Sequence, residues 1–268
     1  FMFKIKKKAY YSHDQNLMEN EGDILNARKH FFEKKNKNLF YLLKTRYEWM
    51  NSFINTNDNI IELGSGANFL KEFIKNKNFK SSDFESYDFI DYKKTDACDT
   101  KFEDSSYQVV ISSNLIHHIA YPAKHFEEVW RILKPGGYYI IQDVNCSPIM
   151  QVAVMLLKHE GFDFTADPLD RTKPCNDPSD AWSANIALPN LIFDDFNKFN
   201  NSLKSRFEII FKKHNECISF LNSGGVIAKT FHIPLGDTIN KIVIKVDNLL
   251  CSLPNLFALQ KSIVLKKI

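Results

Sequence analysis

Apolar positions along residues 24–54 fall at Ile24, Leu25, Phe31, Phe32, Leu39, Leu42, Leu43, Tyr47 and Met50. Their roughly helical spacing predicts two helices, broken near Asn36–Asn38. The apolar pair Ile60-Ile61 then enters a Gly-containing turn. A helical pattern through Leu70, Phe73 and Ile74 follows, so strand, turn and helix are expected. Phe79–Asp83 reads as a weaker strand and TDACD (95–99) as a turn or short strand. The β-branched run YQVVISSN (107–114) reads as a buried strand. Residues 122–134 begin with Pro and place Phe126, Val129, Trp130 and Leu133 on one helical face. LKPGG should stop that helix, and YYIIQDVN (138–145) should be the next strand. Strands alternating with helices imply a parallel sheet covered on both faces.

After Asn145 the rhythm breaks. Residues 148–162 read as helix, and 163–190 as loop with Pro at 168, 174, 178 and 189. Strands resume at 207–214 and 258–267. Between them Ile239, Ile242, Val243, Val246, Leu249 and Leu250 predict an amphipathic helix over 237–250. Residues 1–22 show no period and read as an arm.

Composition narrows the class. The 268 residues are 44 % hydrophobic and 25 % charged, with a net charge of +3, which is globular and argues against wrapping nucleic acid. Five cysteines, an odd number without a CxxC, argue against a disulfide scaffold and for a reducing, cytoplasmic setting. FMFKIKKKAYYS lacks the apolar core of a secretory signal, and no apolar run reaches the length of a membrane span, so no stable membrane insertion is expected. Gly is scarce, at 9 residues, so each one carries more information.

The most informative stretch is Glu62-Leu63-Gly64-Ser65-Gly66-Ala67-Asn68. Gly64 and Gly66 allow a tight bend after a strand and a close ligand approach. The dinucleotide fingerprint GxGxxG fails, because position 69 is Phe. An acid stands two residues before the first Gly, which suits an ammonium better than a phosphate. Asp83, 19 residues after Gly64, can accept hydrogen bonds from a ribose diol. Asp96-Ala97 suits an adenine, with the carboxylate taking the exocyclic amine. Ammonium, ribose and adenine together describe S-adenosylmethionine.

IELGSG, SSD, TDACDTKFEDSSYQVVISSNLIHHI and FEEVWRILKPGGYYIIQD, in that order, resemble a class I S-adenosylmethionine-dependent methyltransferase of the small-molecule group called type 11. The resemblance covers about residues 58–145. It implies an α/β fold: a Rossmann-like doubly wound sheet, mostly parallel with an antiparallel last strand, plus N-terminal helices and an inserted helical cap. It also implies S-adenosylmethionine as cofactor and S-adenosylhomocysteine as product. Glu62, Gly64, Ser65 and Gly66 would hold the methionine end, Asp83 the ribose, and Asp96 and Ala97 the adenine, with Asn114 under the sulfonium. Asn68 stands where a third Gly is common, and Asn tolerates unusual backbone angles. Gln108 replaces the usual Asp. The span from Asp83 to Asp96 is short, which leaves Glu85 and Asp88 as competitors for the ribose.

Methyl transfer needs alignment, exclusion of water and, for a hydroxyl acceptor, a base. His117 and His118 follow the fourth strand at the edge where open α/β sheets bind ligands. Either is a candidate base, and either fits equally well as a cap or helix-start residue. Adjacent His side chains are expected to diverge, so no metal is assigned. Asp143, Asn145, His159, Glu160, Asp180, Trp182 and Asn185 are the candidate acceptor contacts.

The expected organisation is 1–56, arm and helices covering the cofactor site; 57–146, cofactor-binding core; 147–206, acceptor-binding insertion; and 207–268, C-terminal strands with the amphipathic helix. That helix fits core, lid, membrane-surface or homodimer roles. The leading function is methylation of a hydroxyl or amine on a small molecule, such as a sugar of a surface glycan or a secondary metabolite. C-methylation of a quinone-like lipid ring and non-catalytic cofactor binding are the alternatives. Nucleic acid is disfavoured as substrate, since Asn114-Leu115-Ile116-His117 replaces the Asn/Asp-Pro-Pro-aromatic motif.

Overall fold

The computed structural model describes residues 4–11, 23–227 and 229–268. Most of the expected arm, residues 1–3 and 12–22, lies outside the described residues. Asp23 caps α1 (Ile24–Lys34) by accepting from Asn26 N, and Asn36 caps α2 (Lys37–Tyr47) by accepting from Asn38 N and Leu39 N. The break between the two helices therefore falls where the pattern places it. A 3-10 segment, Glu48–Phe53, leads towards the sheet.

Eight strands are present among the described residues: β1 (Lys8–Tyr10), β2 (Ile60–Leu63), β3 (Phe79–Ser82), β4 (Tyr107–Ser113), β5 (Leu133–Val144), β6 (Gly161–Asp163), β7 (Phe207–Asn215) and β8 (Gln260–Lys267). Six form the main sheet in the order β3-β2-β4-β5-β8-β7. The pairs β2/β3, β2/β4 and β4/β5 are parallel, and β8 runs antiparallel to both β5 and β7. This is the expected mostly parallel sheet with an antiparallel last strand. The TDACD segment contributes only an isolated Asp96–Asp99 bridge.

Consecutive residues on each strand point to opposite faces. Ile61, Val110, Tyr139, Ile141, Ile263 and Leu265 face α3 (Pro122–Ile132), whose Phe126, Val129 and Ile132 are fully buried. That layer also holds α5 (Leu188–Phe193) and α6 (Phe196–Ser202), through Ile192, Phe193, Phe196 and Phe199. Ile60, Val109, Ile111, Ile140 and Val264 face α1 and α2. A third cluster, Val144, Met150, Val154, Phe162, Ile186 and Leu259, lies beyond the end of β5 under α4 (Pro148–Leu157). The remaining helices are α7 (Ile218–Leu221) and α8 (Asp237–Leu250).

Several expectations change. The helix expected after the Gly turn shrinks to one 3-10 turn, Leu70–Glu72. Leu70, Phe73 and Ile74 are buried there as predicted, but in a folded-back segment under Phe31 of α1. LKPGG does not separate helix from strand by a loop: β5 starts at Leu133, and its pairing with β4 shifts register between Tyr107 and Val109. A Cβ at Gly137 would meet Gln108 O at 2.8 Å, so the strand needs Gly at this close approach. The helix expected over 148–162 ends at Leu157, and Lys158 takes a left-handed conformation (φ 49°). Gly161–Asp163 then pairs antiparallel with Lys8–Tyr10. This two-stranded ribbon was not anticipated. No helix among the described residues is long and apolar enough to cross a membrane, and all five cysteines are free.

Candidate functional site

Parallel pairing sets Leu63 of β2 against Ser112 of β4 and Ser82 of β3. The turns that leave these three strands therefore lie side by side at their carboxyl ends. In the first, Gly64 (φ 67°) and Gly66 (φ 48°) take left-handed backbone, and Asn68 follows at φ 54°. Asn68 thus adopts the kind of conformation a third Gly would provide. A Cβ on Gly64 would meet Leu115 Cδ1 at 2.6 Å, so the turn after β2 is packed tightly on the turn after β4.

Glu62 is 2 % exposed, and its Oε2 is buried with no hydrogen-bond partner among the described residues. Burial lifts its pKa to about 8; the Ser65 hydroxyl opposes the rise and the Asp83 charge adds to it. An orphaned buried carboxylate beside a glycine turn is matched by an ammonium, so the residues present fit the methionine end of S-adenosylmethionine. Asp83 Oδ2 accepts from Gly66 N at 2.7 Å and its Oδ1 from Glu85 N at 2.9 Å. The same carboxylate that would face a ribose therefore also fixes the glycine turn. Its competitors stand apart: Glu85 is exposed, and exposed Asp88 pairs with Lys93 at 2.8 Å. Asp96 is exposed and caps Cys98 N, while Ala97 is buried beside it. Asn114 (φ 53°) accepts from Gln260 Nε2 at 3.0 Å, which ties the turn after β4 to β8.

The turn after β4 continues into a 3-10 turn, Ile116–His118. Asp143, fully buried on β5, accepts from Ile116 N (2.7 Å), Val144 N (2.8 Å) and His117 Nδ1 (2.6 Å). Its carboxylate is engaged in holding that turn and the His117 ring. His118 Nδ1 lies 3.2 Å from the Ser183 carbonyl. A carbonyl and a carboxylate only accept, so both rings donate from Nδ1 and turn Nε2 the other way.

Both Nε2 atoms face Glu160. Glu160 Oε1 is 3.8 Å from His117 Nε2, 4.0 Å from His118 Nε2 and 3.5 Å from His159 Nε2. Contrary to expectation, the adjacent rings do not diverge: their centroids are 4.2 Å apart. Burial opposes charging His117, but Asp143 and Glu160 outweigh it and raise its pKa to about 10. Burial, then the charge of His117, lowers His118 to about 4. The neighbouring imidazoles hold Glu160 ionised well below the usual carboxylate range, against its own burial. Glu160 takes left-handed backbone (φ 57°) to reach this position.

The remaining acceptor candidates divide. Trp182 is half-buried, its ring edge-on to His118 at 6.2 Å, and Asp180 Oδ1 accepts from its backbone N–H. Asn145 is buried in a framework role, donating to Pro254 O and Ala258 O and accepting from Asn190. Asn185 is buried too: it accepts from Asp163 N and Ala187 N and donates to Asp163 O. Neither faces the histidines with its side chain. Two residues near the cofactor side were missed. Tyr47, buried on α2, accepts from Ser113 Oγ at 3.2 Å. Arg28 donates to Ala67 O at 2.5 Å and stacks 3.8 Å from the Phe89 ring centroid. Tyr47 was hidden inside a helical apolar pattern; Arg28 had no signal beyond its charge.

Comparison with known proteins agrees with this architecture. Residues 63–141 match the family model for the type 11 methyltransferase domain. A 61-residue stretch is 34 % identical to the highly reducing polyketide synthase aurA of Calcarisporium arbuscula, covering 23 % of this chain. An 80-residue stretch is 29 % identical to the hybrid PKS-NRPS synthetase xenE of Xenoacremonium sinensis, covering 30 % of this chain. Each alignment spans about 2 % of those much longer proteins. The crystal structure of a SAM dependent methyltransferase from Archaeoglobus fulgidus shares the fold with a TM-score of 0.50 at 16 % identity, over 88 % of this chain and 98 % of that one. Over residues 63–141 this chain is therefore similar to methyltransferase domains of the type 11 group.

Proposed function

We propose that the protein transfers the methyl group of S-adenosylmethionine to a hydroxyl, or an amine, of a small secondary metabolite. The observation that carries this reading is the packing of two turns. Leu115, in the turn that ends in His117 and His118, lies against Gly64 of the turn that begins with the orphaned Glu62. A cofactor held by Glu62, Gly64, Ser65, Gly66 and Asp83 supplies an electrophilic methyl group. On the acceptor side, His117, His118 and Glu160 converge where a hydroxyl and its proton must be handled, and Trp182 offers a flat wall for a ring. Rigid placement of both partners supplies much of the rate enhancement in a displacement of this kind. The short alignments to polyketide-assembly proteins favour a secondary metabolite over a glycan sugar.

The test is transfer of radiolabelled methyl from S-adenosylmethionine into fractionated small molecules of the host. Label in a hydroxylated or amino metabolite is the expected result. Cofactor binding without label in any fraction would overturn methyl transfer and leave a binding protein.

A further inference from the structure

We propose that His117, His118 and Glu160 form a binding site for one divalent first-row transition-metal ion, of which zinc is the representative, with His159 alongside. The donor atoms of His117, His118 and Glu160 all lie within 4.8 Å of one another. The separations decide between readings. At 3.5–4.0 Å, Glu160 Oε1 is too far from the three Nε2 atoms for good hydrogen bonds. A water bridging two such atoms would need them roughly 5 Å apart, about twice a hydrogen-bond length. A zinc ion with ligands at about 2.0–2.2 Å sets neighbouring donors roughly 3.4 Å apart, so a small inward movement of these side chains closes around an ion.

The donors are also oriented as metal ligands are. His117 Nδ1 is held by the buried Asp143 carboxylate and His118 Nδ1 by the Ser183 carbonyl, which turns each Nε2 into the cluster. Carboxylate and carbonyl partners behind imidazole ligands are the usual outer support of such sites. Two acids, the buried Asp143 and the half-buried Glu160, flank this point. The left-handed backbone at Glu160 is a strain that a ligand role would explain. Imidazole nitrogens with one carboxylate oxygen suit zinc, iron or cobalt better than magnesium or calcium.

The binding claim stands on this geometry alone; its link to catalysis rests on the methyl-transfer reading. Three protein ligands leave a coordination position open, and an oxygen bound there has its pKa lowered. The class of acceptor this favours is one that presents a hydroxyl beside a second oxygen or nitrogen, able to chelate the ion.

The test uses the whole protein, stripped with a chelator and dialysed. Zinc is titrated by calorimetry and cobalt by visible absorption. The expected result is one equivalent bound at micromolar Kd or tighter, with cobalt showing the intense ligand-field bands of low coordination. Glu160→Gln and His118→Gln should each weaken binding at least tenfold, and Asp143→Asn by about 10–100-fold. Circular dichroism verifies that each variant folds. Absence of saturable binding, or unchanged affinity in folded Glu160→Gln, overturns the site. Zinc bound at full affinity with no methyl transfer overturns only the catalytic reading; full activity in chelator, with no zinc affinity, overturns only the metal.

Discussion

Gly66 donates its backbone N–H to Asp83 Oδ2 at 2.7 Å, so the acid on β3 and the glycine turn after β2 form one unit. Asp83→Ala removes a charge-assisted hydrogen bond worth about 1.5–3 kcal/mol. Calorimetry with S-adenosylmethionine should show affinity falling at least tenfold, while Glu85→Ala, on an exposed neighbour, should leave it within about twofold. Equal losses in the two variants would refute the assignment of Asp83.

Gly64 and Gly136 both have left-handed backbone, at φ 67° and 73°, but their surroundings differ. A Cβ at Gly136 meets nothing within 4 Å, so Gly136→Ala should cost only the conformational strain, about 1 kcal/mol. A Cβ at Gly64 strikes Leu115, which carries the turn to His117. Gly64→Ala should therefore cost more, about 2–3 kcal/mol in urea unfolding, and should weaken cofactor binding as well. The double variant Gly64→Ala/Leu115→Ala should recover part of the loss.

Glu62 titrates near 8 in the cofactor-free fold, whereas an unfolded glutamate titrates at about 4.3. Between those values the folded chain holds a proton that the unfolded chain has lost. The contribution of Glu62 to stability is then fully present below about pH 4.3 and falls as pH rises towards about 8. Glu62→Gln should flatten that fall, so the variant gains on the native protein as the solution becomes alkaline. An ammonium partner favours the carboxylate. Cofactor binding at neutral pH should accordingly release a proton, seen as a calorimetric enthalpy that depends on the buffer. An enthalpy independent of buffer would sink this assignment.

Arg46 on α2 meets Glu216 beyond β7 through two hydrogen bonds, at 2.8 and 2.5 Å, with both side chains 1 % exposed. Removing one charge strands the other in the interior. Glu216→Gln should destabilise the protein by about 3–5 kcal/mol, and Arg46→Met by a similar amount. Replacing both together, as Arg46→Met/Glu216→Leu, should cost clearly less than the sum. Chemical denaturation measures all three.

The sheet and the glycine turn were legible because their signals are local. Alternating apolar strands, Gly64 and Gly66, and Glu62 and Asp83 at strand ends each follow from a few adjacent residues. Spacing could not separate one 3-10 turn from a helix at Leu70–Ile74, because burial under Phe31 selects the same apolar positions in either case. The ribbon of Lys8–Tyr10 with Gly161–Asp163 was invisible, since three-residue strands carry no period. His117, His118 and Glu160 were each singled out, but as base and acceptor contacts. Their convergence depends on the left-handed turn at Glu160 and on Asp143 and Ser183 rotating the rings, which only the fold supplies.

Strand β8 lies between β5 and β7, yet it is made after both. While the ribosome is still adding residues 216–259, β5 has an open edge along Tyr138–Val144 and β7 has no neighbour at all. At about 5–20 residues per second, that state lasts for seconds. The nascent chain thus passes through an interval in which the edge of β5 is a waiting slot, a natural point for chaperone engagement.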